Sequence, residues 1–177
     1  MKRIAIVSGL LAASATAALA LGIFAAGKEG GPGFLGPGVY IADVNLALEI
    51  LLLGGLTFGF FLARRGSIQA HRINQTVWVM VNAALVACIM YASLEDVKLK
   101  AIGDLADWRI GVTWLHAAIG TLTVAGGLWL ILQMNDILPA TLHVIWWKTL
   151  MRCTLAGYWL VALLGIATHI LWYARPA

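Results

Sequence analysis

The chain has 177 residues, of which 62% are hydrophobic and 11% charged, and its formal net charge is +4. Ordinary soluble domains contain about 45–50% apolar and about 25% charged residues, so this composition excludes a soluble enzyme or binding module. The arginines lie at the ends of apolar segments and not in a basic run with interleaved polar residues, which argues against a nucleic-acid partner. We therefore expect an all-α integral membrane protein, folded as one compact bundle in a lipid bilayer.

The first segment, residues 1–27, has the pattern of a membrane anchor. Lys2 and Arg3 precede an apolar, alanine-rich run from Ile4 to Ala26. A secretory signal peptide has the same pattern, but this run is long for the apolar region of such a peptide. We predict an uncleaved, signal-anchor-like transmembrane helix with a cytoplasmic N-terminus, and a four-helix transmembrane bundle over residues 28–177. The Gly/Pro-rich loop KEGGPGFLGPG after the first helix is predicted to lie outside.

Four further apolar segments complete a predicted five-helix bundle. They run from Tyr40 to Leu62, from Ile73 to Tyr91, from Ile110 to Gln133 and, as one long final helix, from Leu138 to Tyr173. The arginines between the second and third segments indicate a cytoplasmic loop by the positive-inside rule. These are Arg64, Arg65 and Arg72. The next loop is then outside, as is the C-terminus, and it carries Glu95, Asp96, Asp104 and Asp107 with Lys98, Lys100 and Arg109.

The four histidines are predicted to lie in pairs at two levels of the membrane. His143 and His169 are 26 residues apart, which is about 39 Å along a continuous helix and close to the thickness of a whole bilayer. His116 and His169 are each expected about 8–9 Å below the outer surface. His71 and His143 are expected at the inner surface.

The outer pair, His116 and His169, is the candidate cofactor site. Each histidine belongs to a stripe of small and hydroxyl-bearing residues at helical spacing, and a glycine, Gly120 or Gly165, follows one turn deeper in the membrane. Two imidazoles with side-chain-free sites below them suit a haem b held between facing helices, with the histidines as axial ligands. A non-haem metal such as copper is one alternative. Ordinary helix-contact glycines with hydrogen-bonded histidines are the other.

The inner pair, His71 and His143, is a weaker candidate metal site because it lacks a glycine stripe. Basic side chains surround this level and are able to hold carboxylates, including the propionates of a second haem. They are Arg65, Arg72, Lys148 and Arg152. The alternative is that these residues follow the positive-inside bias alone and that the two histidines are solvated.

Polar residues of the second segment are candidates for a supporting role. Glu49 is expected about 13 Å deep, where a carboxylate is costly and indicates a function with a partner. Asn45 lies on the same helix face, and Asp43 lies near the outer surface. We expect Glu49 to orient a histidine, to relay a proton or to sit protonated in a polar contact. Gly55 and Gly59 form a GxxxG pair, which predicts the close approach of a neighbouring helix.

Four segments between residues 40 and 173 carry a family resemblance: ADVNLALEILLLGGLTFGFFLARRGSIQAHRINQT, VNAALVACIMY, LHAAIGTLTVAGGLWL and HVIWWKTLMRCTLAGYWLVALLGI. They resemble a small family of bacterial multi-pass membrane proteins of unassigned function that includes the cytochrome oxidase maturation factor of the YozB/CtaM type. The matching positions are Asn45, His71, His116 and His143. The family has an aromatic residue at the position of His169, and a histidine where this chain has Tyr91-Ala92-Ser93. The resemblance implies the bacterial inner membrane and a haem- or copper-related respiratory context.

Three functions remain open at this stage. The first is a b-type cytochrome-like subunit of a respiratory or other electron-transfer complex, with one or two haems and a quinone as a further candidate partner. The second is an assembly factor that handles haem or copper for a haem-copper oxidase. The third is a cofactor-free structural subunit, whose histidines would hydrogen-bond to backbone or to one another. No nucleophile–base set is evident in the sequence, so we expect no independent catalytic activity.

Overall fold

A computed structural model of the chain describes residues 2–25, 31–90, 97 and 102–174. Five helices are each long and apolar enough to span a membrane, so the chain has the fold of a multi-pass membrane protein. Their bounds are Lys2–Ala25 (α1), Tyr40–Arg64 (α2), Ile68–Leu85 (α3), Trp108–Met134 (α4) and Trp147–His169 (α5). The predicted charges at Glu95, Asp96, Lys98 and Lys100, with Tyr91, lie outside the described residues.

Helices α2 to α5 form a ring in which each helix contacts two neighbours. The contacting pairs are α2 with α3, α3 with α4, α4 with α5, and α5 with α2, while α1 packs on the outside of α3. Gly9 makes the α1–α3 contact close, since a Cβ there would lie 2.6 Å from the sulfur of Met80 and 3.3 Å from Thr76. Large apolar side chains such as Phe58, Leu122 and Leu163 face outward, as expected for a surface in contact with lipid.

Two helices end in the same kind of turn at one end of the bundle. After α2, Gly66 has φ 77° and Ser67 donates its N–H to the carbonyl of Leu62. After α4, Asp136 has φ 54° and Ile137 donates to Leu132. Both turns satisfy helix carbonyls through a residue in the left-handed region, which glycine adopts without strain. Lys2 at the start of α1 forms an ion pair with Asp136, so three helix ends meet at this end, called the inner end below.

The other end, called the outer end, carries the loop between α1 and α2 and two π-helical turns. The turns extend α3 over Val86–Met90 and α5 over Ile170–Ala174. Trp172 donates its indole N–H to the hydroxyl of Thr113 at 3.0 Å, which joins the end of α5 to the start of α4. Asp107 caps the N-terminus of α4 by accepting from the backbone N–H of Arg109 at 2.9 Å.

The GxxxG prediction on α2 is confirmed by the packing of α3. A Cβ on Gly55 would lie 2.1 Å from the ring of Trp78, and one on Gly59 would lie 2.4 Å from the side chains of Asn74 and Gln75. The close approach exposes α2 carbonyls to donors on α3. Asn74 donates to Gly55 at 2.8 Å, and Gln75 donates to Leu56 at 3.0 Å.

The last helix differs from its prediction, because it begins at Trp147 and not at Leu138. Residues 140–142 form a 3₁₀ turn, and His143 follows with extended backbone at ψ 129°. Gln133 holds this connection by exchanging two hydrogen bonds with the backbone of Val144, at 2.9 and 3.2 Å. These amide bonds satisfy Val144 outside a helix, so His143 and His169 do not share one continuous helix.

Candidate functional site

A buried carboxylate, that of Asp43, lies near the start of α2 in the outer half of the bundle. Its side chain has 0% exposure. One oxygen, Oδ2, accepts from the backbone N–H groups of Phe34 and Leu35 at 2.5 and 2.6 Å. The other, Oδ1, lies 2.8 Å from Nε2 of His169 on α5. Because a buried carboxylate is costly without donors, these three contacts account for its position.

The loop before α2 is shaped to present those two amides. Pro32 and Val39 form an isolated antiparallel bridge, and Gly33 donates to Gly38 at 2.8 Å. A Cβ on Gly33 would lie 2.6 Å from Oδ2 of Asp43, so only glycine lets the loop backbone come this close. On the far side, Gly38 packs against the Tyr173 side chain. The loop therefore covers the Asp43–His169 pair at the outer end.

Glu49 lies further inward on the same helix and contacts α5 where a glycine leaves space. A Cβ on Gly165 would lie 2.4 Å from Oε2 of Glu49, so the carboxyl group occupies the place of a side chain at that position. Glu49 is only 7% exposed, and its Oε1 has no hydrogen-bond partner among the described residues. Gly165 is one turn inward of His169. Glu49 therefore lies on the inner side of His169, and Asp43 lies on its outer side.

A small cavity lies beside Glu49 in the middle of the ring of helices. The cavity volume that the centre of a water-sized sphere can occupy is about 20 Å³. Its polar lining consists of Glu49, Asn82, Thr123 and Tyr158, and Gly120 and Val161 contribute to its wall. Asn82 donates to the hydroxyl of Tyr158 at 3.3 Å. These groups lie inward of Asp43 and His169, toward the centre of the bundle.

The predicted outer histidine pair is not brought together. Nδ1 of His116 lies 3.1 Å from the carbonyl oxygen of Val161, whereas His169 contacts Asp43 on α2. Val161 is eight residues inward of His169, about 12 Å along α5. The room predicted at Gly165 is filled by Glu49, and the room at Gly120 is the small cavity. The two imidazoles in this arrangement therefore do not fit a haem between them; whether the protein binds haem b or copper stays a prediction.

The predicted inner pair is also separated. His71 is buried, and its Nδ1 lies 2.7 Å from the carbonyl oxygen of Gly59 on α2. His143 places Nε2 at 3.1 Å from the carbonyl oxygen of Leu138, in its own loop. Arg152 is exposed, and Nε of Arg72 is buried without a hydrogen-bond partner among the described residues. His71 thus joins α3 to α2, whereas His143 supports the backbone of its own loop.

Sequence reasoning identified most of these residues separately but missed how they combine. It placed Asp43 and His169 near the outer surface and Glu49 about 13 Å deep in the membrane. It gave Asp43 no partner, since the contact joins residues 126 positions apart. The backbone amides of residues 34 and 35 leave no side-chain signal in a sequence. Asn45, predicted to share the face of Glu49, has a buried Oδ1 without a partner in the described part of the chain.

Among the described residues, no group of three or more His, Cys, Asp or Glu side chains is arranged to hold a metal ion. Comparisons of the chain with protein-family models, with curated proteins and with solved structures return no match.

Proposed function

We propose that this protein is a membrane subunit that conducts protons through the outer half of its helix bundle, in the service of an electron-transfer complex. The observation that carries the proposal is the buried Asp43–His169 pair, with Glu49 one helical turn further inward. Ionisable residues inside membrane spans are rare and commonly mark proton or ion paths, because their burial is costly. Structural packing alone would be served better by apolar side chains.

The chemistry of the path follows from the three groups. Asp43 holds His169 through Nε2, so Nδ1 is the ring nitrogen that is left to exchange a proton. Helical side chains lean toward the preceding turn, so the imidazole of His169 extends toward Gly165, where the Glu49 carboxyl lies. A proton that leaves Nδ1 for the Glu49 carboxylate produces neutral imidazole and a neutral carboxylic acid. No net charge then remains in the low-dielectric interior apart from Asp43, which keeps its three donors.

A path that ends inside a bundle needs a proton source or consumer within the membrane. We propose a respiratory electron-transfer complex as the partner, since its membrane reactions consume and release protons. The resemblance to oxidase maturation proteins points to the same context. In this role the chain contributes proton access, and the partner contributes the redox centre.

The proposal is tested by the exchange of the Glu49 carboxyl proton in protein reconstituted into liposomes. The carboxyl stretching band of Glu49, assigned by its loss in Glu49→Gln, is followed by infrared spectroscopy after transfer to D₂O. We expect His169→Leu and Asp43→Asn to slow this exchange by about tenfold or more, which corresponds to about 1.4 kcal/mol on the barrier.

His116→Leu is the matched control, because His116 is a half-buried intramembrane histidine whose ring nitrogen Nδ1 hydrogen-bonds to a backbone carbonyl and not to an acidic side chain. Its exchange rate should equal that of the wild type. If His169→Leu exchanges as fast as the wild type while remaining folded, proton conduction through this pair is refuted.

A second candidate function is a cofactor-free structural subunit. It is favoured by the hydrogen bonds of His71, His116 and His143, each of which reaches a backbone carbonyl. In that case Asp43 and His169 serve only to fasten the outer loop to α5. The exchange experiment separates the two functions, because a purely structural pair would leave the exchange rate of Glu49 unchanged in a folded variant.

A further inference from the structure

The cavity beside Glu49 has the size and the lining of a site for a bound molecule. The volume open to the centre of a water-sized sphere is about 20 Å³. By the same measure, a cavity needs ~10–15 Å³ to hold one water molecule. The side chains of Glu49, Asn82, Thr123 and Tyr158 line it, and three of these belong to different helices from Glu49. Oε1 of Glu49 is a buried acceptor with no partner among the described residues.

We propose that one ordered water molecule occupies this cavity and bridges Glu49 to Tyr158 and Thr123. The existence of the water rests on the cavity and its lining alone. Its role as the inner end of the proton path rests on the function proposed above. In that role it extends the path from the carboxyl of Glu49 to the hydroxyl of Tyr158 at the centre of the bundle.

The hydrogen-bonding capacity of the lining matches one water. The hydroxyl of Tyr158 accepts from Asn82, so its own proton is available to donate to a water oxygen. The hydroxyl of Thr123 donates to the carbonyl of Ile119 at 2.8 Å, which leaves its lone pairs as acceptors. Oε1 of Glu49 is a second acceptor. A water at this position accepts one hydrogen bond and donates two, which is the usual number for buried water.

An empty cavity is the less favourable state here. Voids that stay dry in proteins are lined by apolar side chains, whereas this one is lined in part by Glu49, Asn82, Thr123 and Tyr158. A buried polar group without a hydrogen bond costs free energy, and a single water removes that cost at Glu49. The water therefore satisfies Oε1 of Glu49, which has no hydrogen-bond partner among the described residues.

Gly120 allows the water to be displaced without disturbing the packing. It lines the cavity, and a Cβ there would meet only Val161, at an ordinary contact distance of 3.9 Å. Alanine is also favoured over glycine in a helix, so Gly120→Ala should fold. Its methyl group is about as large as a water molecule and takes the same space. The matched control is Gly54→Ala on α2, where a Cβ would meet nothing within 4 Å and does not reach the cavity.

The experiment is infrared spectroscopy of the full chain in liposomes, comparing H₂¹⁶O with H₂¹⁸O. We expect a water O–H band that shifts in H₂¹⁸O and a carboxyl band of Glu49, and we expect both bands to change in the same variants. Both should be present in the wild type and Gly54→Ala. The water band should be lost in Gly120→Ala, with the Glu49 band shifted to higher wavenumber, as for a carboxyl group that has lost a hydrogen bond.

A water band that persists in folded Gly120→Ala overturns the proposal. A Glu49 band that shifts when Na⁺ replaces K⁺ also overturns it, and assigns the cavity to a cation. Should Gly120→Ala fail to fold, Thr123→Val removes an acceptor at nearly constant volume, and an unchanged water band in that variant has the same consequence. Loss of the water band with an unaffected proton-exchange rate would refute the role in the path and leave the water site intact.

Discussion

At the scale of single residues, Asp43 shows how one carboxylate joins three parts of the chain. Its oxygens accept from the loop before α2 and from α5, while its own backbone belongs to α2. A solvent-exposed ion pair contributes little to stability, but removal of one partner of a buried pair leaves the other groups without hydrogen bonds. Asp43 is therefore expected to matter for folding as well as for proton transfer.

The first prediction concerns Asp43→Ala. The two loop amides and the His169 imidazole lose their acceptor in a buried environment, so we expect the free energy of unfolding to fall by about 3–5 kcal/mol. Asp107→Ala is the matched control, because Asp107 caps α4 at the surface, and its loss should cost only about 1 kcal/mol. Thermal unfolding in detergent measures both. Equal losses of unfolding free energy would show that the buried contacts of Asp43 contribute no more to stability than the exposed cap at Asp107.

The second prediction separates proton conduction from haem binding. If His116 and His169 were axial ligands, either His116→Ala or His169→Ala would abolish a b-type absorption band. Because their contacts lie on different helices, we expect the two variants to differ. His169→Ala should slow Glu49 proton exchange, while His116→Ala should leave it unchanged. A reduced-minus-oxidised visible spectrum of purified protein in which both substitutions remove the same band would restore the haem interpretation.

The sequence identified the chemistry-bearing residues better than their partners. Burial of Glu49 followed from its depth in an apolar segment, and the carboxyl group is indeed buried. The pairing of His116 with His169 failed because matched depth does not determine the direction of a side chain around a helix. His169 faces α2 and not α4, and only the packing of the ring of helices sets that direction.

At the scale of elements, α2 and α3 are held together by hydrogen bonds as well as by close packing. Gly55 and Gly59 expose backbone carbonyls, and Asn74 and His71 on α3 bind them at 2.8 and 2.7 Å. Inside a membrane the hydrophobic effect does not drive helices together, so small residues and interhelical hydrogen bonds contribute much of the association. His71 is thus explained by this contact without a cofactor.

The third prediction compares two adjacent glycines of α2. Gly55→Ala places a Cβ 2.1 Å from the Trp78 ring, which forces the helices apart, and we expect a loss of about 1–3 kcal/mol in unfolding free energy. Gly54→Ala meets nothing within 4 Å and should be neutral or slightly stabilising. Thermal unfolding in detergent measures the difference. A smaller loss for Gly55→Ala than for Gly54→Ala would contradict the close α2–α3 contact.

The presence of five long helices was predictable from hydropathy, but the start of α3 at Ile68 and the connection before α5 were not. The run from Leu138 is apolar enough to continue a helix, and the residue near its start that disfavours helical backbone is Pro139. The decisive contacts are those of Gln133 with Val144, eleven residues away, which hold the backbone out of helical geometry. Such side-chain-to-backbone bonds depend on the position of α4 and leave no periodic pattern in the sequence.

At the scale of the whole molecule, the five helices alternate in direction, so their ends fall at two levels. The inner end contains Lys2, Arg64, Arg65 and Lys148, and the outer end contains the loop that covers Asp43. Cytoplasmic loops of membrane proteins carry an excess of lysine and arginine. From this distribution of charge we predict that the inner end lies in the cytoplasm and that the proposed path opens toward the outside.

The fourth prediction tests this orientation with single cysteines in a variant in which Cys88 and Cys153 are replaced by alanine. Gly36→Cys lies in the loop of the outer end, where a Cβ meets nothing within 4 Å, and Ser67→Cys lies in the exposed turn between α2 and α3. A membrane-impermeant maleimide applied to intact cells should label Gly36→Cys only. After permeabilisation it should label both, which controls for reactivity. The reverse pattern would place the Asp43–His169 pair at the cytoplasmic face, and the path would then draw its protons from the cytoplasm.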